Sequence, residues 1–161
     1  MSKEKTQERL DKSPIHLLHR AGQCAGDIFQ NEMLDGGLTP RQFAVLHTVA
    51  HNEGLSQTNL VERTGIDRST LADIIRRMLK KGLLQRRRTK EDARAYAVKL
   101  SDEGWRVLKT SEPVARRVDD KILAALTTQE RDRFVQDLNK IVRTLGTLSP
   151  PVPTKAAKGK S

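Results

Sequence analysis

The stretch from Leu55 to Leu100, LSQTNLVERTGIDRSTLADIIRRMLKKGLLQRRRTKEDARAYAVKL, constrains this chain more than any other. Ser56 caps a short helix over residues 57–63 with Leu60 and Val61 turned inward, and Gly65 supplies the positive backbone angle of a tight helix-to-helix turn. Asp67 caps the next helix, 68–80, in which Leu71, Ile74, Ile75, Met78 and Leu79 form one apolar stripe. Arg68, Ser69, Thr70, Asp73, Arg76 and Arg77 lie off that stripe, and Gly82 ends the helix. The runs 83–87 and 95–100 follow, the second alternating as Tyr96, Val98 and Leu100, so they pair as a hairpin around the charged loop 89–94. Two helices across a tight turn and a basic hairpin make a helix-turn-helix with a wing. That device puts one helix in a DNA groove and a loop beside it.

The flanks supply helices. Ser13-Pro14 is a cap followed by a first-turn proline, and Leu17, Ala21, Cys24 or Ala25, and Ile28 recur at helical spacing over 14–32. Asp35-Gly36-Gly37 breaks this helix. Thr39-Pro40-Arg41-Gln42 combines a cap, a first-turn proline and a capping-box glutamine, and starts a helix through Phe43, Leu46 and Ala50 to His51. Ser101 caps a long helix with Trp105, Leu108, Val114 and Val118 near one face and Pro113 bending it. Thr127 to Glu130 is a second capping box, ahead of Phe134, Leu138, Ile141, Val142 and Leu145. The expected fold is mainly α with a small β-hairpin wing and six helices. Its segments are a polar flexible tail over 1–12, a first helix over 13–34, the winged helix-turn-helix over 38–100, C-terminal helices over 101–148 and a flexible basic tail over 149–161.

Lys and Arg number 30 against 20 Asp and Glu, a net charge of +10, so the summed field attracts polyanions, with nucleic acid ahead of an acidic membrane surface. No apolar run approaches the roughly 20 residues of a bilayer crossing, and residues 1–12 lack a signal peptide's apolar centre. A soluble cytoplasmic protein is expected. The lone Cys24 builds no disulfide framework within the chain, and no His/Cys spacing matches a zinc site, so neither a metal nor a cofactor is expected. No nucleophile elbow, phosphate loop or paired-carboxylate constellation points to an enzyme.

With these residues laid out, the chain resembles the MarR family of winged-helix transcriptional regulators over residues 14–148. The likeness rests on IDRSTLADIIRRMLKKGLLQRR, the wing-tip EDARA, the helix start KLSDEG and the late helix start LTTQER, in the family's order and spacing. It implies an intertwined homodimer, with the first, fifth and sixth helices interlocked, on a double-stranded operator of two inverted half-sites. One position departs from the pattern: Asp73 stands where the family often has a basic or hydroxyl side chain. Asp73 either accepts from a cytosine amino group or pairs with Arg77 and holds it toward a phosphate, and the pairing is favoured.

A groove-reading helix needs short donors at its N-terminal end, and Ser69 and Thr70 stand there beside Arg68 as base-contact candidates. Arg76 and Arg77 lie further along, where side chains meet phosphate. Arg86, Arg87 and Arg88 alternate on a strand, so one or two of them face away, and for each a solvated charge is as good a reading as a contact. Asp92 and Arg94 match the family's acid-x-Arg wing, in which the acid steadies an arginine that enters the minor groove.

The resemblance also implies release of DNA by a small effector, often an aromatic acid, or by an oxidant. His16, Arg20 and His47 are the candidate contacts for a carboxylate or an acyl thioester, weighed against plain surface or interface residues. Cys24 is the redox alternative, weighed against a small buried thiol. A nonspecific DNA-compacting protein or an RNA-binding winged helix would share the fold and the charge. Arg94→Ala should weaken operator binding at least tenfold, roughly 1.4 kcal/mol, and lower the salt slope by about one in an anisotropy titration.

Overall fold

The computed structural model describes residues 9–34, 37–52, 54–88 and 96–148. They fall into two units divided after Ala124. The first holds α1 (Pro14–Glu32), α2 (Pro40–His51), α3 (Gln57–Thr64), α4 (Arg68–Lys80), β1 (Leu84–Arg88), β2 (Tyr96–Leu100) and α5 (Asp102–Ile122), and the second holds α6 (Thr128–Leu148). Residues 9–11, expected as polar tail, are helical and close with a bond from the Ser13 amide to the Leu10 carbonyl.

The helix starts follow side-chain chemistry. Thr39 and Gln42 form a reciprocal capping box, with the Gln42 amide on Thr39 Oγ1 at 3.2 Å and the Thr39 amide on Gln42 Oε1 at 3.1 Å. Ser56 caps α3, with Asn59 completing a box. Gly65 closes α3 at φ 67° and Gly82 follows α4 at φ 73°, conformations that a Cβ would strain. β1 and β2 pair antiparallel with Leu84 opposite Leu100 and Arg86 opposite Val98. β1 starts one residue later than the sequence suggests. Leu83 drops out of the ladder because its amide donates to the Met78 carbonyl at 2.9 Å, closing the end of α4, while its carbonyl accepts the Ser101 amide at 3.1 Å at the foot of the hairpin.

The core gathers Val45 and Leu46 of α2, Leu60 of α3, Leu71 and Met78 of α4, and Leu108 of α5, all fully buried. Burying side chains of this size from several elements is what holds short helices that would not persist alone. A smaller cluster joins α1 to α5 through Phe29, Met33 and Val118, and Phe43 touches both clusters. Glu32 tightens that junction by pairing with Lys121 and, at 3.7 Å, with Arg117.

Two expected faces differ. On α1 the buried residues are Phe29 and, just beyond the helix, Met33, while Leu17, Ala21 and Cys24 are exposed, because α1 meets the core only through its C-terminal half. On α5, Leu108 and Val118 are buried but Trp105 is 51% exposed. α5 runs unbroken through Pro113. The described residues of the second unit form one helix whose start carries the Thr127–Glu130 box; none of them is buried, and Phe134, Val135, Ile141, Val142, Leu145 and Leu148 are exposed.

α5 passes so close to the foot of the hairpin that a Cβ on Gly104 would lie 2.1 Å from the Leu83 carbonyl oxygen. Gly104→Ala should therefore lower stability by about 1–3 kcal/mol in urea unfolding, since a backbone carbonyl cannot rotate away as a side chain can.

Candidate nucleic-acid interface

α4 and the hairpin position the basic side chains. The Asp67 carboxylate accepts the Thr70 amide at 3.0 Å and, at 3.4 Å, the Ser69 hydroxyl. Its hydrogen bonds from Thr70 hold Asp67 below its ordinary pKa. Arg68 does not point freely outward, because its Nη2 donates to Thr58 Oγ1 of α3 at 3.2 Å. Ser69 is exposed and Thr70 half-buried, so Ser69 is the more open hydroxyl at this end of the helix.

One turn on, Asp73 pairs with both Arg76 and Arg77, the latter at 2.7 Å. The Arg76 hydrogen bond, with help from Arg77, holds the Asp73 carboxyl below its ordinary range. Both guanidinium side chains remain more than 60% exposed, so the acid orients them without burying them. On β1, Arg86 and Arg88 share the face of Leu84, whereas Arg87 shares that of Gln85, and all three arginines are exposed. A groove between α4 and the hairpin brings Arg76 and Arg86 together beside Gln57 and Val98. Gln57 and Thr58 carried no signal of their own in the sequence, because neither motif nor charge marks a polar side chain at a helix start. Asp92 and Arg94 lie outside the described residues.

The effector candidates are only partly gathered. The His47 ring sits 5.8 Å from Phe43 and stacks on His51 at 4.3 Å, whereas His16 is half-buried and Arg20 exposed on α1. A separate groove of about 400 Å³ is lined by His51, Trp105, Arg106, Leu108, Lys109 and Glu112. Donor atoms of His47, His51 and Glu112 lie within 4.8 Å of one another. His47 and His51 are one helical turn apart, a spacing visible in the sequence, but only folding brings Glu112 to them. Cys24, expected as a small buried thiol, is exposed. No described helix is long and apolar enough to cross a membrane.

A model of the MarR family matches residues 36–95. The transcriptional regulator HosA of Escherichia coli O157:H7 is 32% identical over 135 residues, covering 84% of this chain and 98% of HosA. Among solved structures, the repressor CouR bound to a 23-mer DNA duplex is similar at TM-score 0.76 and 28% identity, covering 83% of this chain and 94% of CouR. BpsR of Bordetella bronchiseptica, whose DNA binding is regulated by 6-hydroxynicotinic acid, is similar at TM-score 0.71 and 31% identity, with 79% and 96% covered.

Asp67→Ala should lower the urea midpoint at pH 7, because it removes the cap of α4. The folded pKa of Asp67 is depressed, so its contribution is present above the unfolded carboxylate value near pH 4 and lost as pH falls through the folded value. The difference between wild type and variant should shrink over that acid range.

Proposed function

Since the chain belongs to the MarR family of transcriptional regulators, we propose that it is a sequence-specific double-stranded DNA-binding regulator, acting as a homodimer on an inverted-repeat operator and released by a small aromatic acid. The observation that carries the reading is the row of oriented, exposed cations along α4 and β1, with Ser69 at the leading end of α4 and Arg76 and Arg77 steadied by Asp73. Ser69, Thr70 and Arg68 read base edges, and Arg76, Arg77, Arg86 and Arg88 meet phosphate. Asp92 and Arg94 at the wing tip serve the minor groove. CouR, of similar fold, is bound to duplex DNA, which supports placing DNA on this surface.

The homodimer reading rests on apolar surface. Ile15 is 69% exposed and Leu17 48% in α1, and Val142 is 61% exposed and Leu145 51% in α6. Stripes of this kind on two helices are what a second copy of the chain would cover. The effector reading rests on BpsR and on the cationic and imidazole groups His16, Arg20 and His47 of α1 and α2, which suit a carboxylate. Repression is the favoured direction, and the protein would act on DNA in the cytoplasm.

Selection from random duplex DNA tests this reading. The expected outcome is a palindrome with half-sites about one helical turn apart, bound at least a thousandfold more tightly than random duplex at physiological salt. Equal affinity for all duplexes would overturn it in favour of nonspecific compaction. On the selected duplex, an aromatic acid such as 6-hydroxynicotinate should weaken binding.

A further inference from the structure

We propose that His47, His51 and Glu112 form a binding site for a divalent transition-metal ion of the Zn²⁺ class, bridging α2 to α5. His47 and His51 occupy positions i and i+4 of α2, so their rings leave one face of the helix, stacked at 4.3 Å with 27° between planes. The Nδ1 atom of His51 lies 2.8 Å from the His47 carbonyl oxygen. A carbonyl oxygen only accepts, so Nδ1 is the donor in this contact and Nε2 of the neutral ring is the nitrogen left to bind a metal. This is the way metal-binding imidazoles are usually held, with the non-ligating nitrogen anchored on a carbonyl or carboxylate.

Glu112 supplies the third group from the neighbouring helix. It is half-buried and, among the described residues, has no ion pair or hydrogen bond, so its carboxylate is available to a cation. The three groups offer donor atoms within 4.8 Å of one another. A tetrahedral Zn²⁺ with bonds of about 2.0–2.1 Å separates its ligands by about 3.3 Å, so rotamer adjustments of little more than an ångström close the site.

The chemistry of the set selects the ion. Two imidazole nitrogens and one carboxylate oxygen suit Zn²⁺, and its neighbours in the transition series, whereas Mg²⁺ requires an octahedral shell of oxygens. Three protein ligands leave the fourth position open to the groove, where Trp105 and Leu108 form an apolar wall and Arg106 and Lys109 carry positive charge. An anion or a water would fill that position. A bound ion would tie α2, in the helix-turn-helix half of the unit, to α5, which continues from the hairpin, and so would stiffen the frame that carries α4.

Calorimetric titration of metal-stripped protein with ZnCl₂ and MgCl₂, without DNA, tests the site independently of any operator. One Zn²⁺ per chain and no Mg²⁺ binding are expected. His47→Ala, His51→Ala and Glu112→Gln should each weaken Zn²⁺ binding at least about tenfold, roughly 1.4 kcal/mol, with unchanged circular dichroism, while His19→Ala, on α1 outside the cluster, should leave it unchanged. Absence of Zn²⁺ binding by the wild type would overturn the proposal. So would wild-type affinity in any one of the three variants, since a Zn²⁺ held elsewhere would not depend on both helices.

Discussion

One serine, Ser101, and the carbonyls of Gly82 and Leu83 hold the foot of the wing. Ser101 is buried, donates its Oγ–H to the Gly82 carbonyl, accepts the Gly104 amide at 3.0 Å, and gives its own amide to Leu83. The end of α4, the base of the hairpin and the start of α5 are thereby tied within a few residues. Gly104 is part of the same arrangement, because only a residue without a side chain lets α5 approach the Leu83 carbonyl. The angle between α4 and the wing, on which any shared DNA surface depends, is set at this point rather than along the ladder. A two-stranded hairpin has little stability of its own and takes its orientation from what it is anchored to.

The charge on this surface is organised as well as abundant. Two acids sit among the cations of α4, and each does local work. Asp67 begins the helix, and Asp73 gathers two guanidinium groups from the following turn. An exposed ion pair contributes little to stability, so the value of the Asp73 contacts lies in restricting where Arg76 and Arg77 point. A guanidinium held in advance gives up less freedom when it meets a phosphate. The net charge of +10 acts at longer range, drawing in polyanions before any such contact is made.

Away from that surface, the first unit contains a second polar arrangement where α2 meets α5. His47, His51 and Glu112 stand beside an apolar groove with Trp105 on its rim. Trp105 had the spacing of a core residue, yet α5 buries Leu108 and Val118 and leaves the indole half in solvent. The same holds for α1, where helical periodicity marks an apolar stripe but only the C-terminal half has α5 to pack against. An apolar stripe states that a face seeks cover, and it does not state from which chain the cover comes.

Local chemistry made much of the fold legible. Caps at Ser13, Thr39, Ser56, Asp67, Ser101 and Thr127 and the left-handed glycines Gly65 and Gly82 place the element boundaries to within a residue or two, because they act through bonds three or four positions away. The α4 stripe was legible for the same reason: Leu71, Ile74, Ile75 and Met78 are all buried. The tether of Arg68 to Thr58 and the meeting of Glu112 with two histidines were decided by tertiary structure. Periodicity specifies which face of an element is apolar. Which polar tips then meet across elements, and how far a side chain emerges from the core, depends on the packing of residues distant in the chain, and no spacing in the sequence encodes it.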